Sequence, residues 1–145
     1  MAEELSKPVS EAVARARGRR KRARPAGRSL DVFGGELRRR DVFPLLVLHL
    51  VKDEPAYGNR MIERIEAITE GAISVNPNTI YPLLRELEER GLIKGEWEHP
   101  DRRTRRFYAI TPAGRRELER LQAELEPFFD GVIRSVTLLK RELYG

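Results

Sequence analysis

Residues 76–114 read NPNTIYPLLRELEERGLIKGEWEHPDRRTRRFYAITPAG, and their order decides the fold. Asn76 offers a side-chain oxygen to the orphan amides of a helix start, and Pro77 suits the first helical position, where no amide donor is needed. Ile80, Leu83, Leu84 and Leu87 fall at helical spacing and make one apolar stripe. Gly91 stands where a left-handed residue commonly closes a helix. A strand over Leu92–Trp97 and a partner over Arg105–Ile110 follow, joined by the turn 98–104, with Trp97, Phe107 and Ile110 expected among the inward groups. Thr111-Pro112 then repeats the cap-and-proline signal and opens another helix. Helix, strand, arginine-rich turn, strand, helix is the order of a winged helix-turn-helix. It points to duplex DNA as the partner.

Upstream, Asp41 is expected to cap a first helix with Pro44 in its first turn, and Phe43, Leu45, Leu46, Leu48, Leu50 and Val51 supply its buried surface. A second helix is expected over Ala56–Thr69, with Met61, Ile62, Ile65 and Ile68 inward and Gly71 just beyond its end. Downstream, Leu118, Leu121 and Leu125 repeat along the last helix, which Pro127 is expected to break or kink. Phe128, Phe129, Val132, Ile133, Val136 and Leu139 follow. This tail is more apolar than a solvated helix needs, so Leu121 onward is assigned to self-association. The fold class is therefore mainly α with a small β-hairpin: a winged helix-turn-helix over residues 38–111 and a C-terminal dimerisation helix over 112–145.

The 145 residues carry a net charge of +5, unevenly distributed. Residues 1–28 hold nine Lys/Arg and three Glu, which is +6, so the other 117 sum to −1. Residues 1–37 form a basic arm, expected to be disordered in isolation because RARGRRKRARPAGR (15–28) has almost nothing large and apolar to bury. Two readings of the arm stand side by side: it lies along phosphates or in a minor groove, or it is a solubilising leader with no specific role.

Several classes of chemistry are excluded. There is no cysteine, and the two histidines, His49 and His99, have no metal-ligand spacing. No cofactor is expected. Gly18, Gly27, Gly34 and Gly35 do not make a phosphate loop, and the acidic residues sit in charged helical runs, so an enzyme is not expected. The longest apolar run, Val42–Val51, is too short to span a bilayer, and the acidic start lacks a secretory apolar core, so a cytoplasmic protein is expected.

A recognition helix presents its N-terminal residues to base edges in the major groove. Here these are Asn78, Thr79, Tyr81, Pro82 and Arg85. Asn can pair with adenine, Arg with guanine, and Thr or Pro can touch a thymine methyl, while the Tyr81 hydroxyl suits phosphate. The wing adds Arg102, Arg103, Arg105 and Arg106; alternation puts Arg103 and Arg105 on one face and Arg102 and Arg106 on the other.

The segments LLVLHLVKDEPAYGNRMIERIE, NPNTIYPLLRELEERGLIKGEWE and RRTRRFYAITPAGRRELERL resemble the PadR family of winged-helix regulators, together covering about residues 42–121. The Tyr-Pro-x-Leu run and the Tyr-x-x-Thr-x-x-Gly run carry most of the likeness. The resemblance implies a homodimer joined through its C-terminal helices, repression at an operator, and release by a small molecule. It places Tyr81 at the recognition-helix tyrosine and Tyr108 at the wing tyrosine. Gly58 is followed by Asn59 and Arg60 instead of the usual Tyr-Glu, and Asn78 replaces a glycine. Two further readings accompany the dimeric repressor. One is a switch whose apolar or aromatic effector sits among Phe43, Trp97, Phe128 and Phe129. The other is a protein adaptor without DNA reading, suggested by Glu86, Glu88 and Glu89 on the third helix.

Overall fold

The computed structural model describes residues 41–99 and 101–145; the basic arm, and the side chains of residues 102–104, lie outside them. The elements are α1 (Phe43–Val51), β1 (Ala56–Tyr57), α2 (Gly58–Ile68), α3 (Pro77–Glu89), β2 (Ile93–His99), β3 (Arg102–Ile110) and α4 (Pro112–Tyr144). Three antiparallel strands lie in the order β1-β3-β2, so the expected hairpin gains a short third strand.

α1 is buried on most of its surface, through Phe43, Pro44, Val47, Leu48, Leu50 and Val51. Asp41 does not cap it. Asp41 and Val42 form a wider helical turn, Val42 is itself helical, and no side-chain cap bond is made there. His49 is half-buried with Nδ1 3.3 Å from Lys52 Nζ, and burial, then Lys52 and Arg64, lower its pKa.

The second helix begins two residues later than expected. Ala56 and Tyr57 pair with Tyr108 and Phe107 of β3, and the Tyr57 and Phe107 rings meet edge-on at 5.5 Å. This pairing, together with an aromatic residue suited to a pleated surface, outweighs the local helical pattern. Met61 and Ile65 face the core, but Ile68 is exposed. The Thr69 hydroxyl donates to Ile65 O (3.0 Å) and accepts from Ile73 N (3.0 Å), and Gly71 takes a φ of 82°.

α3 follows the sequence closely. The Asn76 side chain accepts from the Thr79 amide at 3.1 Å, and Ile80, Leu83, Leu84 and Leu87 are buried. At the other end Gly91 N donates to Glu88 O (2.9 Å) and Leu92 N to Leu87 O (3.0 Å), with Gly91 at φ 73°. That pair of bonds is the Schellman closure, which needs a residue free of the left-handed penalty.

β3 buries Tyr108 and leaves Phe107 and Ile110 half-buried, while Trp97 on β2 is 40% exposed. The inward strand position is thus Tyr108, not Trp97. Thr111 then ties three elements together. Its amide donates to Leu92 O (3.1 Å), its hydroxyl donates to Gly91 O (2.6 Å), and the same hydroxyl accepts from Gly114 N (3.0 Å).

α4 runs for 33 residues without a break at Pro127, contrary to expectation. Pro127 and Ala123 both lie on exposed positions. Water can therefore take the place of the amide that the Ala123 carbonyl loses, and the helix continues. Only Gly114, Leu118, Leu121 and Leu125 are buried along it. Arg90, just past α3, reaches Glu117 of α4 at 2.9 Å.

Candidate nucleic-acid interface

α3 has one face in the core and one in solvent. Asn78, Pro82, Arg85 and Glu89 are exposed and recur at four, three and four residues, which aligns them along the solvent side. Pro82 removes the amide that would bond the Asn78 carbonyl, so this backbone oxygen, like the Asn78 side chain, has no intrahelical partner from that position. Asn78, Pro82 and Arg85 thus form one exposed row along α3.

Thr79 and Tyr81 lie elsewhere on the helix. Thr79 belongs to the cap, its hydroxyl 3.5 Å from Asn76 Oδ1. The phenol end of Tyr81 lies against Gly58, where an added Cβ would stand 2.7 Å from Cε1, and its hydroxyl donates to Asn59 Oδ1 at 3.2 Å. Tyr81 therefore sets how closely α2 approaches α3. Gly58 and Asn59 are partners in this contact that the sequence pattern did not reveal; the signal was the unusual Gly-Asn-Arg run at the helix start.

The wing arginines divide by strand face. Arg105 makes a two-toothed bond to Glu98, Nε and Nη2 each 2.9 Å from a carboxylate oxygen, and its guanidinium lies 5.0 Å from the centre of the Tyr57 ring. The hydrogen bond from Arg105 to Glu98 raises the arginine pKa further above its already high value. Arg106 sits on the other face. Its Nη2 donates to Glu88 Oε2 of α3 at 2.8 Å and to Gly95 O at 3.3 Å, while its guanidinium lies 5.7 Å from the Trp97 ring centre and 5.8 Å from that of Tyr108. The Gly95 amide donates to the same Glu88 oxygen at 2.9 Å. Burial raises the Tyr108 pKa, which keeps this phenol neutral beside the ion pair.

Arg106 is therefore engaged by a carboxylate of its own chain. It bolts β3 to α3 through Glu88. Gly95 makes room for it, since a Cβ there would stand 2.3 Å from Arg106 Nε. Glu88, one of the three acids that favoured an adaptor, points into this bolt. Removal of both partners measures its worth. In a Glu88→Ala, Arg106→Ala double-mutant cycle followed by urea unfolding, we expect a coupling of about 1 kcal/mol, the size typical of charge-assisted hydrogen bonds at a partly exposed site. Additive single effects would show that the pair is incidental.

The terminal helix separates the expected dimer residues into two groups. Leu121 (2% exposed) and Leu125 (3%) are already covered within the protomer, so they are not available to a second copy. Phe128, Phe129 and Val132 are half-buried, with the two phenylalanine rings 5.8 Å apart. Ile133, Val136 and Leu139 are exposed, as are Leu138, Leu143 and Tyr144.

The residues expected to line an effector site stand on three elements, α1, β2 and α4. Phe43 belongs to the core, and Trp97 lies on the wing beside Arg106. A cavity of about 280 Å³ instead opens between the end of α1, β1 and α2, lined in part by Leu50, Pro55, Tyr57, Arg60, Met61 and Phe107. Among the described residues no three His, Asp or Glu side chains gather to hold a metal ion, and no helix is long and apolar enough to cross a membrane.

A helix pair with one solvent-facing recognition stripe, flanked by a hairpin wing bolted to it, defines a winged helix-turn-helix DNA-binding protein. The family described as "Transcriptional regulator PadR-like family" matches residues 47–120, and the chain belongs to it. A transcriptional regulator of Mycobacterium tuberculosis (Rv3488) is 35% identical over 82 residues, covering 57% of this chain and 74% of that protein. A PadR family transcriptional regulator from Eggerthella lenta is 33% identical with a TM-score of 0.54, over 68% of this chain and 84% of that one. A transcriptional regulator from Clostridium thermocellum is 25% identical with a TM-score of 0.58, over 66% and 93% respectively. The chain is a DNA-binding transcriptional regulator, not an enzyme.

Proposed function

We propose that this chain is a homodimeric repressor that reads a palindromic operator and is released by a small apolar or aromatic effector. The observation that carries the operator reading is the solvent-facing row Asn78, Pro82 and Arg85 on a helix whose other face is locked into the core. Two such helices related by a two-fold axis would meet half-sites about 34–36 Å apart, in successive major grooves. Repression is then steric, by competition with polymerase.

The dimer reading draws support from the spacing beyond Leu125. Phe129, Val132, Val136, Leu139 and Leu143 recur at three, four, three and four residues, which is the a/d pattern of a two-helix seam. α4 continues 19 residues past Leu125, so a partner helix has a long face to cover. Val136→Asp with Leu139→Asp tests this without touching the protomer core. Sedimentation should change from dimer to monomer, and operator affinity should fall by about 10²–10⁴, the range expected when two linked binding events become one. A double variant that stays dimeric would contradict the seam.

For the effector, the cavity beside Tyr57 and Met61 next to α2 and β3 offers both apolar side chains and the charged groups of Glu54, Arg60 and Arg64. A ligand there would shift the wing relative to the recognition helix only if it bound the DNA-free arrangement better. Titration of apolar aromatic compounds against operator affinity tests it, and no compound altering that affinity would remove the switch.

A further inference from the structure

α3 makes two polar contacts from one flank. Glu88 Oε2 accepts from Arg106 Nη2 of β3 at 2.8 Å and from the Gly95 amide of β2 at 2.9 Å. Seven residues earlier, the Tyr81 hydroxyl donates to Asn59 Oδ1 of α2 at 3.2 Å. Seven residues are close to two helical turns, so both contacts leave α3 on the same side, one toward the wing and one toward α2. The exposed row Asn78, Pro82 and Arg85 lies about a quarter of a turn round the helix from this flank, and the buried stripe Ile80, Leu83, Leu84 and Leu87 lies on its other side. The stripe decides which side of α3 faces inward, but apolar burial is non-directional. Hydrogen bonds depend on both distance and angle, so the flank contacts set the roll of α3 about its axis.

Roll matters for a helix that reads bases. Side chains reach about 5–6 Å from a helix axis, so a roll of about 20° moves the exposed row by about 2 Å. A binding constellation has to be held within about 0.5 Å of its productive geometry. We propose that Glu88, through Arg106, and Tyr81, through Asn59, are positioning residues for DNA reading. They touch no base. They hold α3 at the roll that presents Asn78, Pro82 and Arg85 to the groove, and so govern sequence preference from outside the contact surface. The inference rests on the operator reading of that row.

The test uses the full chain and two duplexes: the sequence that the wild-type chain enriches most from a randomised pool, and a scramble of it. Glu88→Ala removes a carboxylate from α3, so charge alone would tighten binding to any duplex. The proposal predicts a loss of preference instead: the ratio of the two affinities should fall by about 10-fold, within what one good bidentate base contact discriminates. Gly95→Ala should do the same with no change of charge, because a Cβ there would stand 2.3 Å from Arg106 Nε and displace the guanidinium. This variant also serves if Glu88→Ala does not fold. Glu88→Gln keeps an acceptor oxygen at the same reach and should retain most of the ratio. Tyr81→Phe deletes only the hydroxyl and should lower the ratio. Weakening of both duplexes by one factor in Tyr81→Phe would make that hydroxyl a phosphate contact and overturn its positioning role. Full retention of the ratio in Glu88→Ala and Gly95→Ala would overturn the proposal, as would an equal loss in Glu88→Gln. A wild-type chain that enriches no sequence would defeat the operator reading itself, and the proposal with it.

Discussion

Gly114→Ala is expected to lower the midpoint of thermal unfolding by about 10 °C. A Cβ at this position would stand 2.0 Å from Leu92 O and 2.8 Å from Ile110 Cγ1. Leu92 O is a backbone atom that already accepts from Thr111 N, so it has no rotamer through which to yield. The new methyl would push the start of α4 away from the corner between α3 and β2. It would also pull the Gly114 amide from the Thr111 hydroxyl. Overpacking of a closed contact costs about 1–3 kcal/mol, and a kilocalorie moves the midpoint of a domain near 100 residues by about 4–8 °C. Gly131→Ala supplies the contrast. It lies exposed inside the same helix with nothing near the added Cβ, so the same chemical change should stabilise by up to about 1 kcal/mol through helix propensity alone. Equal effects at the two glycines would show that the close approach at Gly114 is not what fixes α4.

Asn78→Ala and Arg85→Ala are each expected to weaken sequence preference while leaving the fold intact. Both side chains are exposed on α3, and neither contributes to the apolar core. A good bidentate contact between a side chain and a base edge is worth about 1–3 kcal/mol of discrimination. Each substitution should therefore reduce the ratio of operator to scrambled affinity by about 10–100-fold. The two should differ in a second respect. Arg85→Ala also removes a charge, so its salt slope should fall by up to about 0.9 if the guanidinium touches phosphate instead of guanine. Asn78→Ala should leave that slope alone. If both variants keep the full ratio, α3 does not read bases.

The elements built on local signals were legible in the sequence. Asn76 and Thr111 act as caps on amides three residues on, Gly91 closes α3 at positive φ, and the stripe Ile80, Leu83, Leu84, Leu87 is buried as its spacing requires. What the sequence concealed depends on partners distant along the chain. A two-residue strand at Ala56–Tyr57 is too short to carry a period, and only β3 makes it a strand. Arg106 has the composition of an open wing charge, yet Glu88, 18 positions earlier, turns it into a bolt. The same is true of Tyr81, whose hydroxyl meets Asn59 across 22 positions. Pro127 failed as a helix breaker because its local penalty falls on an exposed carbonyl in a long helix.

The bolt also bears on how the wing works. Arg105 ties β3 to β2 through Glu98, and Arg106 ties the wing to α3 through Glu88. Arg102 lies opposite His99 at the end of the hairpin ladder.

The most direct measurement compares the affinity of the full chain for the duplex upstream of its own coding sequence with that for a scrambled duplex of equal length, at one fixed salt concentration. An operator-reading regulator should prefer its own site by about 10³-fold or more. Equal affinity for the two duplexes would contradict it, leaving a protein held to DNA by charge alone.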